Sequence, residues 1–324
     1  MANILITRLC NRHCIHCFAR GGSLVVHPGT SGAAGPGLHM APDELDRVVE
    51  FARKSGLEVV GVMGGEPALH PECLAVVERL LAAGLRVRFF TGGLIPDHVL
   101  DGLKGLDKER VHVGVNLPAP DEPLAAEERD RIDRSLRELG EMAMVAFTVY
   151  DAAHDLRFLV DSILHFGLRR SIRLGLCLPV ADRSRPAALP VSEYPAVVPR
   201  IMELSEACAE HGIVLSFDCG FTRCMFSAEE LALFEQRGVH TVFACSPIVD
   251  IGPDLVTWSC FPLARLASAR LEDFADREEL VKHFRQTQKA YRNLGVHDQC
   301  LECDDKRNGR CAGGCLAHVI RGME

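Results

Sequence analysis

The sequence predicts an α/β fold, a partial (β/α)6 barrel followed by a small cysteine-rich domain. Two observations predict it. Between Ile4 and Cys177 six apolar, strand-like runs occur, and five of them are each preceded by a helical segment. That alternation implies a parallel sheet built from right-handed crossovers. From Cys219 onward the alternation fades, and eight of the fourteen cysteines lie there. At 324 residues the chain suits one large α/β domain, or a barrel-like domain with an appendage.

The elements follow in order. Ile4–Leu9 is the first strand and runs into a loop containing Cys10, Cys14 and Cys17. Residues 20–41, with Gly21, Gly22, Pro28, Gly32, Gly35, Pro36 and Gly37, read as a mobile loop that a ligand could order. Pro42-Asp43-Glu44 opens a helix to about Lys54, ended by Gly56. Strands are expected at 57–63, 85–90, 111–115, 144–149 and 172–177. The intervening helices are expected at 71–83, 96–103, 123–139 and 153–166. A further helix at 199–211 and an apolar run at 213–217 complete the first domain, placed at residues 1–216. In residues 217–324, Ser227-Ala228-Glu229-Glu230 is a capping box that opens a helix. Residues 242–244 and 255–259 read as a hairpin, and 273–293 as one amphipathic helix.

Composition narrows the function. Hydrophobic content of 48% with 25% charged residues indicates a full core. A formal net charge of −8 leaves no basic footprint for nucleic acid. No positively charged start precedes an apolar run, and no stretch approaches ~18 apolar residues, so a cytoplasmic protein without a membrane partner is expected. In that reducing compartment fourteen cysteines point to metal or redox chemistry rather than disulfides. The histidines show no metal-ligand spacing.

Cys10, Cys14 and Cys17 place three thiols in eight residues, spaced C-x3-C-x2-C. A tetrahedral zinc or a closed iron–sulfur cube takes four protein ligands. Three without an obvious fourth suggest a cluster with one iron left open, a zinc knuckle being the alternative. After the second strand comes Gly64-Gly65-Glu66-Pro67, a glycine pair allowing close backbone approach and a carboxylate able to meet an ammonium group. One face of Val111–Asn116 carries His112, Gly114 and Asn116, and one face of Ile172–Leu178 carries Arg173, Gly175 and Cys177. A strand packed on both faces would be apolar on both, so these faces are expected to look into a wet interior. Cys73 and Cys208 fall in helical register with apolar residues and read as core, and Cys177 reads as a buried bystander.

This combination resembles the radical SAM enzymes. The resemblance implies a [4Fe–4S] cluster on Cys10, Cys14 and Cys17, its open iron chelated by S-adenosylmethionine. It implies further cofactor contacts from the backbone of His16, which stands where the family usually has an aromatic residue, and from Gly64, Gly65, Glu66 and Pro67. Asn116 would meet the ribose, and Arg173 the carboxylate or ribose. Cys300, Cys303, Cys311 and Cys315, with Cys245 and Cys260 around the hairpin, resemble the SPASM/twitch extension of some family members. That extension carries one or two auxiliary [4Fe–4S] clusters, and a zinc ribbon is the alternative. The usual cysteine downstream of the last C-x3-C is missing; the upstream Cys219 and Cys224 can compensate. By analogy, Cys245, Cys260 and Cys315 are expected to share a cluster with Cys224; with Cys300, Cys303 and Cys311, either Cys219 completes the set or one iron stays open for substrate.

The function implied is reductive cleavage of S-adenosylmethionine to a 5′-deoxyadenosyl radical that abstracts hydrogen from a substrate. A ribosomally made peptide is the favoured substrate. A sugar or amino acid is the alternative, and a non-catalytic iron–sulfur electron carrier a distant third. An external one-electron donor of flavodoxin or ferredoxin type is expected. Because the first strand starts near residue 3, a leader-peptide recognition protein, if used, is expected to be separate.

Overall fold

The computed structural model describes residues 1–19, 24–30, 37–179 and 188–323. Seven parallel strands stand in chain order: β1 (Ala2–Thr7), β2 (Val59–Gly64), β3 (Arg86–Thr91), β4 (Val111–Asn116), β5 (Ala143–Val149), β6 (Ser171–Leu176) and β7 (Val214–Phe217). The crossovers contain α1 (Pro42–Lys54), α2 (Cys73–Ala82), α3 (Asp97–Lys104), α4 (Ala126–Leu139), α5 (Arg157–Phe166) and α6 (Tyr194–Glu210). The sheet stays open, a partial barrel as expected, with a seventh parallel strand beyond the six. Parts of the loop expected at 20–41, namely 20–23 and 31–36, lie outside the described residues.

Local chemistry explains each boundary. α1 starts at Pro42, where a missing N–H costs nothing, and the Glu44 carboxylate accepts from the Ala41 N–H at 2.6 Å. Arg53 and Lys54 close it against the negative helix end. α5 begins at Arg157, later than expected, because the Asp151 and Asp155 carboxylates take the N–H groups of Ala153 and Arg157 and hold 151–155 in turns. α6 begins at Tyr194, earlier than expected, and carries Pro199 inside its second turn. Val111, Val113 and Val115 of β4 are fully buried while His112 and Asn116 are half-buried, so the polar face does look inward.

The cysteine-rich region continues the sheet. β8 (Asp250–Ile251) pairs in parallel with β1; β9 (Val256–Trp258) and β10 (Ser268–Arg270) follow antiparallel, which gives ten strands. The buried Asn3 amide donates to Asp250 at 2.8 Å and fixes that junction. The boundary expected after residue 216 thus falls within β7. The hairpin forms between β8 and β9; residues 242–244 are not a strand, since the Phe243 carbonyl is taken by the Ala312 N–H. α7 (Ala228–Gln236) has its capping box, Ser227 Oγ accepting from Glu230 N–H at 3.2 Å. The single helix expected at 273–293 is instead α8 (Arg277–Thr287) and α9 (Lys289–Arg292). The break falls at fully buried Gln288, whose amide donates to Ser259 Oγ at 2.6 Å. α10 (Asp304–Arg307) and α11 (Leu316–Met323) end the chain. Among the described residues no helix is long and apolar enough to cross a membrane.

Candidate metal and cofactor site

The cysteine loop begins where β1 loses its register against β2, between Leu5 and Thr7. It is held from several sides. Cys10 N–H donates to Val26 O at 2.9 Å, and Asn11 Nδ2 to Leu94 O at 2.9 Å. Arg8 pairs with Asp254 of the β8–β9 turn at 2.8 Å. Arg12, which no sequence pattern singles out, is 5% exposed and ties the loop to two strands. Its guanidinium pairs with buried Glu122 at 2.9 Å and donates to Gly92 O at 3.1 Å and Asn116 O at 3.3 Å. The loop is thereby clipped to the C-terminal ends of β3 and β4.

Gly64 and Gly65 are required by the loop itself. A Cβ on Gly64 would stand 2.6 Å from Thr7 O, and one on Gly65 2.3 Å from Leu9 O. The close approach inferred from the glycine pair is therefore, in the first place, an approach to the cysteine-loop backbone. Glu66 follows, fully buried, its N–H on Leu9 O at 2.6 Å. Oε2 accepts from Thr91 Oγ1 at 2.9 Å and Gly92 N–H at 2.8 Å, and Oε1 from Ala68 N–H at 3.2 Å. Burial pushes this carboxyl up to about 7, against the pull of those hydrogen bonds and of Arg12. Pro67 opens a short buried 3-10 turn behind Glu66.

These residues meet at one open cleft of ≈ 820 Å³. Cys10, Cys14, Cys17, His16, Gly64, Gly65, Glu66 and Asn116 all line it. The His16 ring stacks on Tyr150 with centroids 5.2 Å apart. Pro67 and Arg173 are not on its wall. Arg173 pairs with Asp218 at 2.8 Å and lies over the ring of Phe90, which does line the cleft. Phe261 was not foreseen: it comes from the C-terminal region, beside Cys260, and packs with Trp258 against Leu5, Ala19 and Val25. Cys177 is buried, its thiol 4.0 Å from His16 O, and Cys73 and Cys208 are core residues as expected.

The donor set fits a thiolate-ligated group. Burial pushes Cys10 up to about 12 and Cys14 up to about 11, so both are thiols until a cation replaces the proton. Among the described residues no other cysteine lines the cleft, which leaves three thiol donors, not the four of a closed site. Among the described residues no three His, Cys, Asp or Glu side chains converge on a single ion.

The C-terminal thiols have the following neighbours. Cys219 is pushed well up by burial, and next by the charges of Asp218, Cys315, Cys260 and Cys245. Cys260 likewise feels burial first, then Cys315, Asp250 and Cys245. Cys219 therefore stands with Cys245, Cys260 and Cys315. Cys300 is raised by burial, with Cys224 and Cys311 as its neighbouring thiols. Cys219 is half-buried in the turn after β7, and Cys224 is exposed.

Comparison with known proteins agrees with this geometry. The GTP 3′,8-cyclase of Streptomyces coelicolor is 30% identical over 131 residues, which are 40% of this chain and 36% of that protein. The chain thus matches little more than a third of that curated relative's length. Among solved structures, anSMEcpe with bound AdoMet superposes with a TM-score of 0.68 at 16% identity, covering 97% of this chain and 89% of that one. SuiB of Streptococcus suis bound to precursor peptide SuiA gives 0.66 at 13% identity, covering 99% and 72%. Both likenesses establish the fold. The Radical SAM superfamily model matches residues 4–148, the stretch that runs from β1 through the cysteine loop and Glu66 into β5. This part of the chain is therefore similar to the Radical SAM superfamily, a family of enzymes.

Proposed function

We propose that this chain cleaves S-adenosylmethionine reductively and abstracts hydrogen from a peptide substrate. The observation that carries the proposal is the single cleft shared by Cys10, Cys14, Cys17, Glu66 and Asn116. When bound to those thiols, a [4Fe–4S] cluster supplies the electron that splits S-adenosylmethionine into methionine and the 5′-deoxyadenosyl radical. The protein's own residues bind and aim. Glu66 Oε1 accepts one N–H from Ala68, so a lone pair remains for an ammonium group. The Asn116 side chain offers donors and an acceptor to a ribose, and the His16 backbone borders an adenine. Val25, Met63, Phe90 and Phe261 form an apolar wall that keeps water from a reactive intermediate. Pro67 supports Glu66 from behind, and Arg173 orders Phe90.

The C-terminal thiols Cys219, Cys224, Cys245, Cys260, Cys300, Cys303, Cys311 and Cys315 hold auxiliary [4Fe–4S] clusters in a SPASM-like region. Cys260 precedes the cleft residue Phe261, so a cluster held there would be near the cleft and would supply one-electron chemistry to it. A flavodoxin- or ferredoxin-type donor feeds the first cluster. The likeness to SuiB, a structure that holds a precursor peptide, supports a peptide substrate. The match to GTP 3′,8-cyclase supports a second reading, a small-molecule substrate. To separate them, reconstituted enzyme is given perdeuterated cellular peptides or deuterated GTP. Deuterium in 5′-deoxyadenosine from the peptides alone supports the peptide; deuterium from GTP alone replaces it.

A further inference from the structure

We infer that Cys224 is the fourth ligand of the cluster held by Cys300, Cys303 and Cys311, so that this cluster closes on a thiol from the turn after β7 and not on one downstream. The inference rests on the reading of the C-terminal thiols as cluster ligands. It begins with how the last thirty residues fold on themselves. Cys303 precedes α10, and its carbonyl accepts from Arg307 N–H at 3.0 Å. The Asp305 carbonyl then accepts from both Arg310 N–H at 2.8 Å and Cys311 N–H at 3.1 Å, which curls Cys311 back beside α10. Gly313 N–H donates to Cys311 Sγ at 3.3 Å, a bond that strengthens when the sulfur carries thiolate charge. Cys300 is pressed in from the other side. A Cβ on Gly295 would stand 2.6 Å from Cys300 Sγ, and Val296 N–H binds Gly313 O at 2.9 Å.

The turn containing Cys224 docks on this curl. Arg223 reaches the Asp305 carboxylate at 3.4 Å, and the other oxygen of that carboxylate holds Arg310 at 2.6 Å. One acid thus joins the neighbours of Cys224 and Cys311, two residues past Cys303. Next to it, Thr222 packs on the backbone of Gly314, where a Cβ would sit 3.1 Å from its methyl group. Cys224 is thereby brought near Cys300, which also has Cys311 as a neighbouring thiol. Cys219, five residues earlier, has Cys315, Cys260 and Cys245 as its neighbouring thiols. A [4Fe–4S] cube takes four cysteines, and the eight thiols divide into two complete sets. Each thiol gives up its proton as iron binds.

The test uses the full chain with Cys10, Cys14 and Cys17 replaced by alanine, so that only auxiliary iron is read. After anaerobic reconstitution, iron, sulfide and the EPR spectrum of the reduced protein are measured. The background protein should hold about eight irons. Adding Cys224→Ala should remove or alter one cluster signal and leave the other unchanged, Cys219→Ala should disturb the other signal, and Cys224→Ser should restore iron with a shifted spectrum. Eight irons and an unchanged spectrum in Cys224→Ala would overturn the assignment while leaving two auxiliary clusters standing. A background protein with four irons or fewer would overturn the two-cluster reading, and the assignment with it.

Discussion

Arg12→Leu is the most revealing single perturbation of the cleft. The Arg12 and Glu122 side chains are 3% and 6% exposed, and their charged atoms stand 2.9 Å apart. Glu122 Oε2 is already buried without a hydrogen-bond partner. Removing Arg12 strands a buried carboxylate and also empties the bonds to Gly92 O and Asn116 O. Breaking a buried pair from one side costs about 3–5 kcal/mol. Arg86 and Glu58 provide the control: at 3.0 Å the distance is nearly the same, but the side chains are 54% and 81% exposed. Such a surface pair contributes about 0–1 kcal/mol, so Arg86→Ala should be nearly silent. Burial, not distance, decides the difference. The assay is urea unfolding of cluster-free protein, with iron uptake by the Cys10/Cys14/Cys17 site as a second readout. The double variant Arg12→Leu/Glu122→Leu should recover much of the loss, because no charge is then left buried. A cost below about 1 kcal/mol for Arg12→Leu would refute the argument that this pair anchors the loop.

Other changes test neighbouring parts. Gly65→Ala places a methyl group 2.3 Å from Leu9 O and should cost about 1–3 kcal/mol and lower iron uptake, checked by thermal unfolding and iron analysis. In cluster-free protein, burial lifts Glu66 from 4.5 to about 7. The folded state then keeps a proton that the unfolded chain has lost, so stability falls as pH rises from about 4.5 through 7. Glu66→Gln should remove this contribution, read as the difference between wild-type and variant unfolding curves across that range. Cys177→Ala should leave 5′-deoxyadenosine formation and product intact at a cost of about 1 kcal/mol; a diverted product would make Cys177 a participant.

The features legible in the sequence are the ones written locally. Six strands, the cysteine loop and Gly64-Gly65-Glu66-Pro67 depend on neighbours a few residues away, and each stands where the pattern placed it. What escaped depends on distant partners. A charged residue between two cysteines reads as solvated; Arg12 is buried because Glu122, 110 positions on, meets it. Asp250 and Ile251 read as part of a turn between 242–244 and 255–259 until Asp250 finds Asn3, 247 positions away. Phe261 reached the cleft by the same junction. The surroundings of Cys219 and Cys224 depend on the turn after β7, whose direction no spacing of cysteines encodes.

The central claim is tested most directly by 5′-deoxyadenosine formation from S-adenosylmethionine, measured in anaerobically reconstituted, dithionite-reduced protein beside its Cys14→Ala variant. Wild type should form it and the variant should not, while the variant keeps about eight of about twelve irons in the C-terminal region. Formation of 5′-deoxyadenosine by Cys14→Ala, or its absence from iron-replete wild type, would contradict the account.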